Sequence, residues 1–434
     1  MQQVNLGMIG GGTVGSGVFH ALQLNGGLMA SRLGVKVNLR KVAVKALNEP
    51  RPYPISRSLM TTDWESVVND RQVDVVTELV GGTTIARTMV LAALKLGKPV
   101  ITANKALLSA HGEELFSAAK KHGTNLYYEA SVCGGIPIIK SLREGFVGNR
   151  ITHLYGIVNG TCNYILTRMK LEGADFATVL ADAQKQGYAE TPPDLDIDGH
   201  DAAHKIGILA SLAHGFWVKP KSIYVEGIRQ ISALDIKFAG ELGYTIKLLG
   251  IIKQMGTGCR VQVSVYPTLV PNTHVLASVN HVFNAVFVRG DIVGDTLFYG
   301  RGAGKDATAS AVLSDLADAA LDLKFGTKHR VPPFVSHECA GAVVPMDDVV
   351  SQYFVRLNVV DRPGVLAKIA AIFGAANIGI SSVIQPEGHE GKSVPLIFML
   401  HYAPNGAVKK AFNRIAGLPA VKGRPVMIRV ENFE

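Results

Sequence analysis

The sequence predicts a multidomain chain that combines α/β and α+β architecture, and three observations lead there. At 434 residues it is longer than the about 200 residues at which single cores stop growing, so about three domains are expected. An apolar strand at the N-terminus runs into Gly10-Gly11-Gly12-Thr13-Val14-Gly15, the turn that opens a Rossmann-like, doubly wound parallel sheet. Beyond Pro332-Pro333, period-two and helical apolar patterns succeed one another in the order βαββαβ, the ferredoxin-like plan. The expected domains are a dinucleotide-binding sheet over 1–130 with a returning segment near 300–325, a middle α+β domain over 131–325, a linker over 326–350, and a small module over 351–434.

Composition removes several function classes. Apolar residues make up 47% and charged residues 18%, too apolar for a disordered chain. The longest charge-free runs, such as residues 206–218, fall short of the about 20 that a membrane span needs. The N-terminus lacks a basic region before its first apolar run, so no signal peptide is expected. Four dispersed cysteines, Cys133, Cys162, Cys259 and Cys339, suit a reduced, cytoplasmic compartment better than a disulfide framework or zinc site. The net charge of +9 comes without long basic runs, so nucleic acid is not an expected partner.

The first strand is expected over residues 4–9. Gly10 permits the tight turn, Gly12 lets backbone approach a pyrophosphate, and Gly15 lets helix and strand pack closely; the helix opening at Thr13 and Val14 offers its amides to the phosphates. The second strand, near residues 37–44, should end at the residue that reads the ribose. Between Gly26 and Asn48 there is no acid, but there are Arg32, Lys36, Arg40, Lys41 and Lys45. A 2′-phosphate suits that basic rim, and the missing carboxylate weakens recognition of NAD, so the reading points to NADP with NAD as the alternative. Apolar runs at 73–76 and 99–101 supply further strands. They end at Glu78-Leu79-Val80-Gly81-Gly82 and Thr102-Ala103-Asn104-Lys105, at the carboxyl edge where such sheets bind ligands. Lys105 opens a new helix; it can bond cofactor or substrate, or simply face solvent.

From Glu129 to Pro137 a glycine-rich turn leads into a helix. Cys133 within it has no adjacent base and reads as an inert buried thiol. Residues 154–165 read as strand, turn and helix start around Asn159-Gly160-Thr161. The densest chemistry follows at 187–205, where Glu190, Asp194, Asp196, Asp198 and Asp201 crowd together around Pro192-Pro193. Carboxylates so close repel unless a cation answers them: a substrate ammonium, a lysine or a metal. Asp201 and Lys205 are spaced i,i+4 and share one helix face. Beside a nucleotide site, that lysine is a plausible proton donor to a carbonyl. His200 and His204 have no usable third ligand and read as packing or surface residues. At Gly300-Arg301-Gly302-Ala303-Gly304-Lys305-Asp306 a second glycine turn opens a helix. It is not a phosphate loop of the GxxxxGK[ST] kind, because Tyr299 and Asp306 occupy required positions.

In the tail, residues 353–360 alternate as a strand, Pro363 starts a helix, and strands at 380–385 and 394–401 flank a hairpin turn at 388–391. A second helix carries Val408, Phe412 and Ile415 on one face, before a last strand at 426–430.

Taken together, the motifs GGGTVG (10–15), TANK (102–105), EASVCGGIP (129–137), NGTCNYI (159–165), GYAE (187–190), DLDIDGHDAAHK (194–205) and GRGAGKDAT (300–308) resemble homoserine dehydrogenases, in that family's order and over roughly residues 1–430. The segment Asp361-Arg362-Pro363-Gly364-Val365-Leu366 resembles an ACT domain, the amino-acid-sensing module of the long family members. The resemblance implies NAD(P)H-dependent, reversible reduction of L-aspartate 4-semialdehyde to L-homoserine, in threonine, methionine and isoleucine biosynthesis. It implies Lys205 as proton donor, Lys105 as a second lysine at cofactor and substrate, and Glu190 on the substrate's amino group with Asp196 and Asp201 beside it. Cofactor contacts would come from Gly10, Gly12, Thr13, Val14, Gly15, Arg40, Lys45, Gly81, Thr102, Lys105 and Gly302. Glu129 and the carbonyls of Val132, Gly134 and Ile136 would hold a monovalent cation, sodium by expectation. The middle domain would be catalytic and dimerising, the chain a homodimer or homotetramer, and threonine the expected effector. Two other classes compete: a phosphorylating aspartate-semialdehyde dehydrogenase, which needs an activated cysteine, and a non-catalytic amino-acid sensor, against which intact Lys105, Glu190 and Lys205 argue.

Overall fold

The computed structural model describes residues 1–434 except 257, 328, 329, 331, 338–340, 387–392 and 434. Cys339 and the turn expected at 388–391 lie outside the described residues. By packing, the chain divides into two compact units, each built from three segments.

The first unit comprises 1–154, 204–221 and 284–341. Its centre is a six-stranded sheet whose first strand, Gln2–Ile9, lies between Val35–Ala43 on one side and Val75–Glu78 on the other. Beyond these lie Met60–Thr61 on one edge, and Val100–Thr102 and Leu126–Tyr127 on the other. In sequence rank the order is 3-2-1-4-5-6 with all pairs parallel, the doubly wound arrangement that the glycine turn predicts. Strands buried on both faces explain the unbroken apolar runs: Leu6, Met8, Val75, Val76, Val100 and Ile101 are all excluded from solvent. A late helix, Lys305–Phe325, packs its Ala309, Val312, Leu316 and Ala320 into this same core against Val18 of the first helix, Thr13–Leu33.

The second unit comprises 155–203, 222–283 and 342–434. Strands Tyr244–Gln254 and Arg260–Pro271 form a long antiparallel pair. The tail forms strand Val350–Val360, helix Val365–Ala375, strands Ile380–Ile384 and Ser393–Pro404, helix Asn405–Ala416 and strand Val421–Val430. Ranked within the tail, the strand order is 4-1-3-2 and every neighbour is antiparallel, the ferredoxin-like topology that the pattern predicts. Its last strand also runs parallel to Arg260–Pro271, pairing Arg429 with Thr268 and Val430 with Leu269, so the module continues the sheet of its own unit.

Cysteine usage differs from the expectation of four unpaired thiols. Cys133 and Cys162 are buried and outside any disulfide, but Cys259 is disulfide-bonded. Dispersed spacing alone does not exclude a bridge, because topology brings distant positions together. No helix among the described residues is long and apolar enough to cross a membrane.

Candidate active site

The nucleotide half is built at the carboxyl edge of the parallel sheet. Gly10 adopts φ +105°, and a Cβ there would lie 2.6 Å from the Leu79 carbonyl; a Cβ on Gly15 would overlap the carbonyl of Gly10. Both glycines therefore serve protein packing. Gly12 differs, with φ −75° and nothing within 4 Å of its would-be Cβ. Gly12 caps helix Thr13–Leu33, whose first turn has no side-chain cap and no acid. Open amides at a positive helix end, with room above them, fit a pyrophosphate.

The neighbouring turns are tied together by a residue that sequence reasoning quoted but did not interpret. Glu78, fully buried, accepts from the amides of Val80 (2.9 Å) and Gly81 (3.2 Å) and from the Thr102 hydroxyl (2.7 Å). Thr102 accepts from the Asn104 amide at 3.0 Å, and the Asn104 side chain caps Leu107 while donating to the Gly82 carbonyl at 2.7 Å. This network fixes Gly81, and it fixes the start of helix Lys105–Lys121, where half-buried Lys105 stands first.

The basic rim divides in two. Arg40 lies within strand Val35–Ala43 and pairs with Asp70 at 2.8 Å, whereas Lys45 follows the strand's end and is exposed. Near the return helix, Tyr53 stacks on His20 with centroids 4.0 Å apart, bonds Asp306 at 3.0 Å, and lies under the Lys305 ammonium. Gly302 packs on the 133–135 turn, its carbonyl 2.9 Å from where a Gly134 Cβ would stand.

That turn takes left-handed backbone at Cys133 (φ 54°) and Gly134 (φ 31°). The Cys133 sulfur is buried, 3.7 Å from the Asn284 amide, unlike an exposed, base-activated nucleophile. Glu129 is buried and accepts from the backbone amides of Ile139 (3.0 Å) and Lys140 (2.6 Å). Burial pushes its carboxyl up to about 7 against those two bonds. Among the described residues no cluster of three His, Cys, Asp or Glu is placed to hold a metal ion.

The acidic loop, with Asn159, lies on the second unit. Asn159, read in sequence only as part of a turn and of the NGTCNYI motif, is the residue that organises it. Its side chain caps helix Gly160–Glu172 by accepting from the Cys162 amide. Its Nδ2 donates to Asp196 Oδ1 at 2.8 Å and to Asp201 Oδ2 at 2.9 Å, and the Thr161 hydroxyl adds a 3.3 Å contact to Asp196. The cation expected in this loop is partly built in: Arg229 binds Asp198 at 2.5 and 3.0 Å and also binds Asp194. Arg229 thus answers Asp194 and Asp198, Asn159 holds Asp196 and Asp201 together, and Glu190 is exposed. Arg229 lies outside the 187–205 cluster in sequence, and no spacing rule connects it. Helix His200–His214 carries Asp201 and, one turn on, Lys205, both 8% exposed.

The family model described as "Homoserine dehydrogenase, NAD binding domain" matches residues 10–129, and "Homoserine dehydrogenase" matches 137–317. The chain is 41% identical over 436 residues to a homoserine dehydrogenase of Neisseria gonorrhoeae, covering 100% of both. It is similar to the crystal structure of a homoserine dehydrogenase from Thiobacillus denitrificans (TM-score 0.93, 41% identity, 100% of this chain and 99% of that one). It is also similar to a hyperthermophilic archaeal homoserine dehydrogenase in complex with NADPH (TM-score 0.62, 25% identity, 74% of this chain and 98% of that one).

Proposed function

The chain belongs to the homoserine dehydrogenase family, and from that premise we propose how its own residues divide the reduction of L-aspartate 4-semialdehyde to L-homoserine. The enzyme is an oxidoreductase with a nicotinamide-nucleotide domain. The observation that carries the reading is Asn159 holding Asp196 and Asp201 together on the acidic loop, with Lys205 one turn beyond Asp201.

Glu190, Asp196 and Asp201 receive the substrate's ammonium group, which fixes the aldehyde in place; such positioning supplies several kcal/mol of the rate enhancement. A bound reduced nicotinamide would supply hydride chemistry at the aldehyde carbon. Lys205 stabilises the oxygen as charge develops and delivers its proton there, yielding the alcohol. Burial removes competing water from Lys205 and strengthens its attraction for that oxygen. Lys105, held at its helix start by Asn104, contacts cofactor and substrate.

The pyrophosphate belongs on the amides of Gly12, Thr13 and Val14, with Gly10 and Gly15 shaping the turn. Gly81, Thr102 and Gly302 border the rest of the cofactor. NADP is favoured over NAD by Lys45 at the strand's end; Arg40, engaged by Asp70, contributes less than the sequence alone suggests. The complex of the archaeal relative with NADPH supports the same choice. A sodium ion on Glu129 and the carbonyls of Val132, Gly134 and Ile136 is supported by the buried carboxylate, which a cation would keep ionised.

The middle region over 131–325 is read as the catalytic and dimerising domain, and the module over 351–434 as an ACT domain that senses threonine. A cavity of about 500 Å³ lined by Asp361, Arg362, Gly364, Gln385 and Leu396, at the start of helix Val365–Ala375, supports an amino-acid ligand there. A homodimer or homotetramer in the cytoplasm completes the reading.

The test follows NADPH and NADH oxidation with aspartate semialdehyde, with and without threonine. Oxidation that needs no phosphate supports the reduction, and a preference for NADPH supports the Lys45 reading. Loss of rate with threonine supports the sensor. No oxidation of either cofactor overturns the proposal.

A further inference from the structure

The segment 224–229 touches the acidic loop at one end and the tail module at the other, within one unit. At its far end Glu226 meets Arg429, the largest fully buried side chain among the described residues. Arg429 Nη1 lies 2.8 Å from Glu226 Oε2, and its Nη2 reaches Asn405 Oδ1 at 2.8 Å. The guanidinium also sits over the rings of Tyr224 and Tyr266, 5.2 and 4.5 Å from their centroids. The rigid guanidinium fork thus meets a carboxylate, a side-chain amide and the Tyr224 hydroxyl, between two aromatic rings, which fixes Glu226 tightly.

At the near end the segment is sewn to the loop by backbone. The Ile228 amide donates to the Ile197 carbonyl of the loop at 2.8 Å, while the Glu226 amide anchors the segment to strand Arg260–Pro271 through the Val265 carbonyl at 2.7 Å. Gly227 has no room for a side chain: a Cβ would overlap Ile197 and Asp198 backbone atoms. Gly199, at φ +84°, would bring a Cβ within 3.3 Å of the Glu226 carbonyl. Arg229 then grips Asp194 and Asp198. Arg229 is exposed, so its ion pairs alone would hold little; the backbone seams make its position definite.

We infer that Arg429 and Glu226 are positioning residues for the substrate loop, acting through the 226–229 segment and Arg229 on Asp194 and Asp198. They touch neither substrate nor cofactor. They set where the loop's remaining carboxylates stand, and they place the tail module in contact with substrate capture. This inference rests on the proposed role of the loop in binding the substrate ammonium.

The experiment is steady-state kinetics of Glu226→Gln, Arg229→Gln and the double variant, with Asp196→Asn as control and melting temperature measured for each. Arg229→Gln, at an exposed position, should raise KM for the semialdehyde about tenfold, the loss of one charge-assisted hydrogen bond. KM for NADPH should not move. Glu226→Gln should raise the same KM, and the double variant should be no worse than Arg229→Gln, because one path carries both effects. If Glu226→Gln does not fold, Arg429→Lys, which keeps the charge and loses the fork, takes its place. Effects that multiply, or a lowered melting temperature with unchanged KM, would overturn the inference. If Asp196→Asn also leaves KM unchanged, the substrate-loop reading itself has failed; if Asp196→Asn raises it and Glu226→Gln does not, only the positioning path has.

Discussion

The Asn159 side-chain nitrogen stands 2.9 Å from Asp201 Oδ2 while the same side chain's oxygen caps a helix. One neutral amide thus joins a structural duty to a chemical one, and two substitutions separate them. Asn159→Asp keeps a good cap but sets a third carboxylate against Asp196 and Asp201. Asn159→Ala loses both duties. The Asp variant should keep its helix capped, lose some melting temperature to that repulsion, and lose roughly 10- to 100-fold in kcat/KM, the scale of one or two charge-assisted bonds. A normal kcat/KM in Asn159→Asp would show that the pair does not depend on this amide.

Lys205→Ala should lower kcat by at least about 100-fold, a typical size for losing a general acid. Cofactor affinity, measured by fluorescence of bound NADPH, should hardly change, because the lysine acts on the aldehyde oxygen. A variant that keeps near-normal kcat removes Lys205 from the proton-donor role.

Gly12 and Gly15 should respond to alanine differently. At Gly12 the space is open, but φ −75° with ψ −142° lies outside the regions that L residues favour, so Gly12→Ala should fold with a modest loss of stability and bind NADPH at least about tenfold more weakly, because its methyl group would occupy the pyrophosphate's place. At Gly15 the added carbon would overlap the Gly10 carbonyl, so Gly15→Ala should lower the melting temperature more. Equal melting losses in both would mean that Gly12 serves packing only.

Why the sheet and tail were legible is clear from particular residues. Leu6, Met8, Val75 and Val76 form the apolar runs of buried parallel strands, and Val408, Ala411 and Ile415 share one buried helix face; period and composition report such burial directly. The acidic loop was legible as a cluster, because its carboxylates are close in sequence. Its partners were not: Asn159 and Arg229 reach it across 37 and 31 residues, and no local pattern records a long-range hydrogen bond. Glu78 was missed for the same reason. Arg40 shows the converse, a charge that looked available for a phosphate until folding set Asp70 beside it.

The tail module is pinned to its unit by a second buried pair. Arg356 Nε lies 2.5 Å from Asp235 Oδ1, with the aspartate fully buried and itself part of the capping box with Ser232. Arg356→Met would leave that carboxylate buried and half-answered, a change that costs about 3–5 kcal/mol. Chemical denaturation should show the loss. A change below about 1 kcal/mol would mean that water or Ser232 compensates for the guanidinium.

Acid should weaken the same attachment through Glu226. Burial pushes the Glu226 carboxyl up, but the charge and hydrogen bonds of Arg429 outweigh it and hold the group below the 4.5 of an ordinary glutamate. A carboxyl whose folded value is depressed releases its proton more readily in the native state than in the unfolded chain. Its stabilising contribution is therefore fully present above 4.5 and disappears as pH falls through the lower folded value. The melting temperature of Glu226→Gln should lie below that of the native chain at neutral pH, and the gap should close as the solution is acidified past 4.5. A gap that stays constant down to strongly acid solution would assign the loss to shape rather than to charge, because only the ionised carboxylate distinguishes glutamate from its amide at this position.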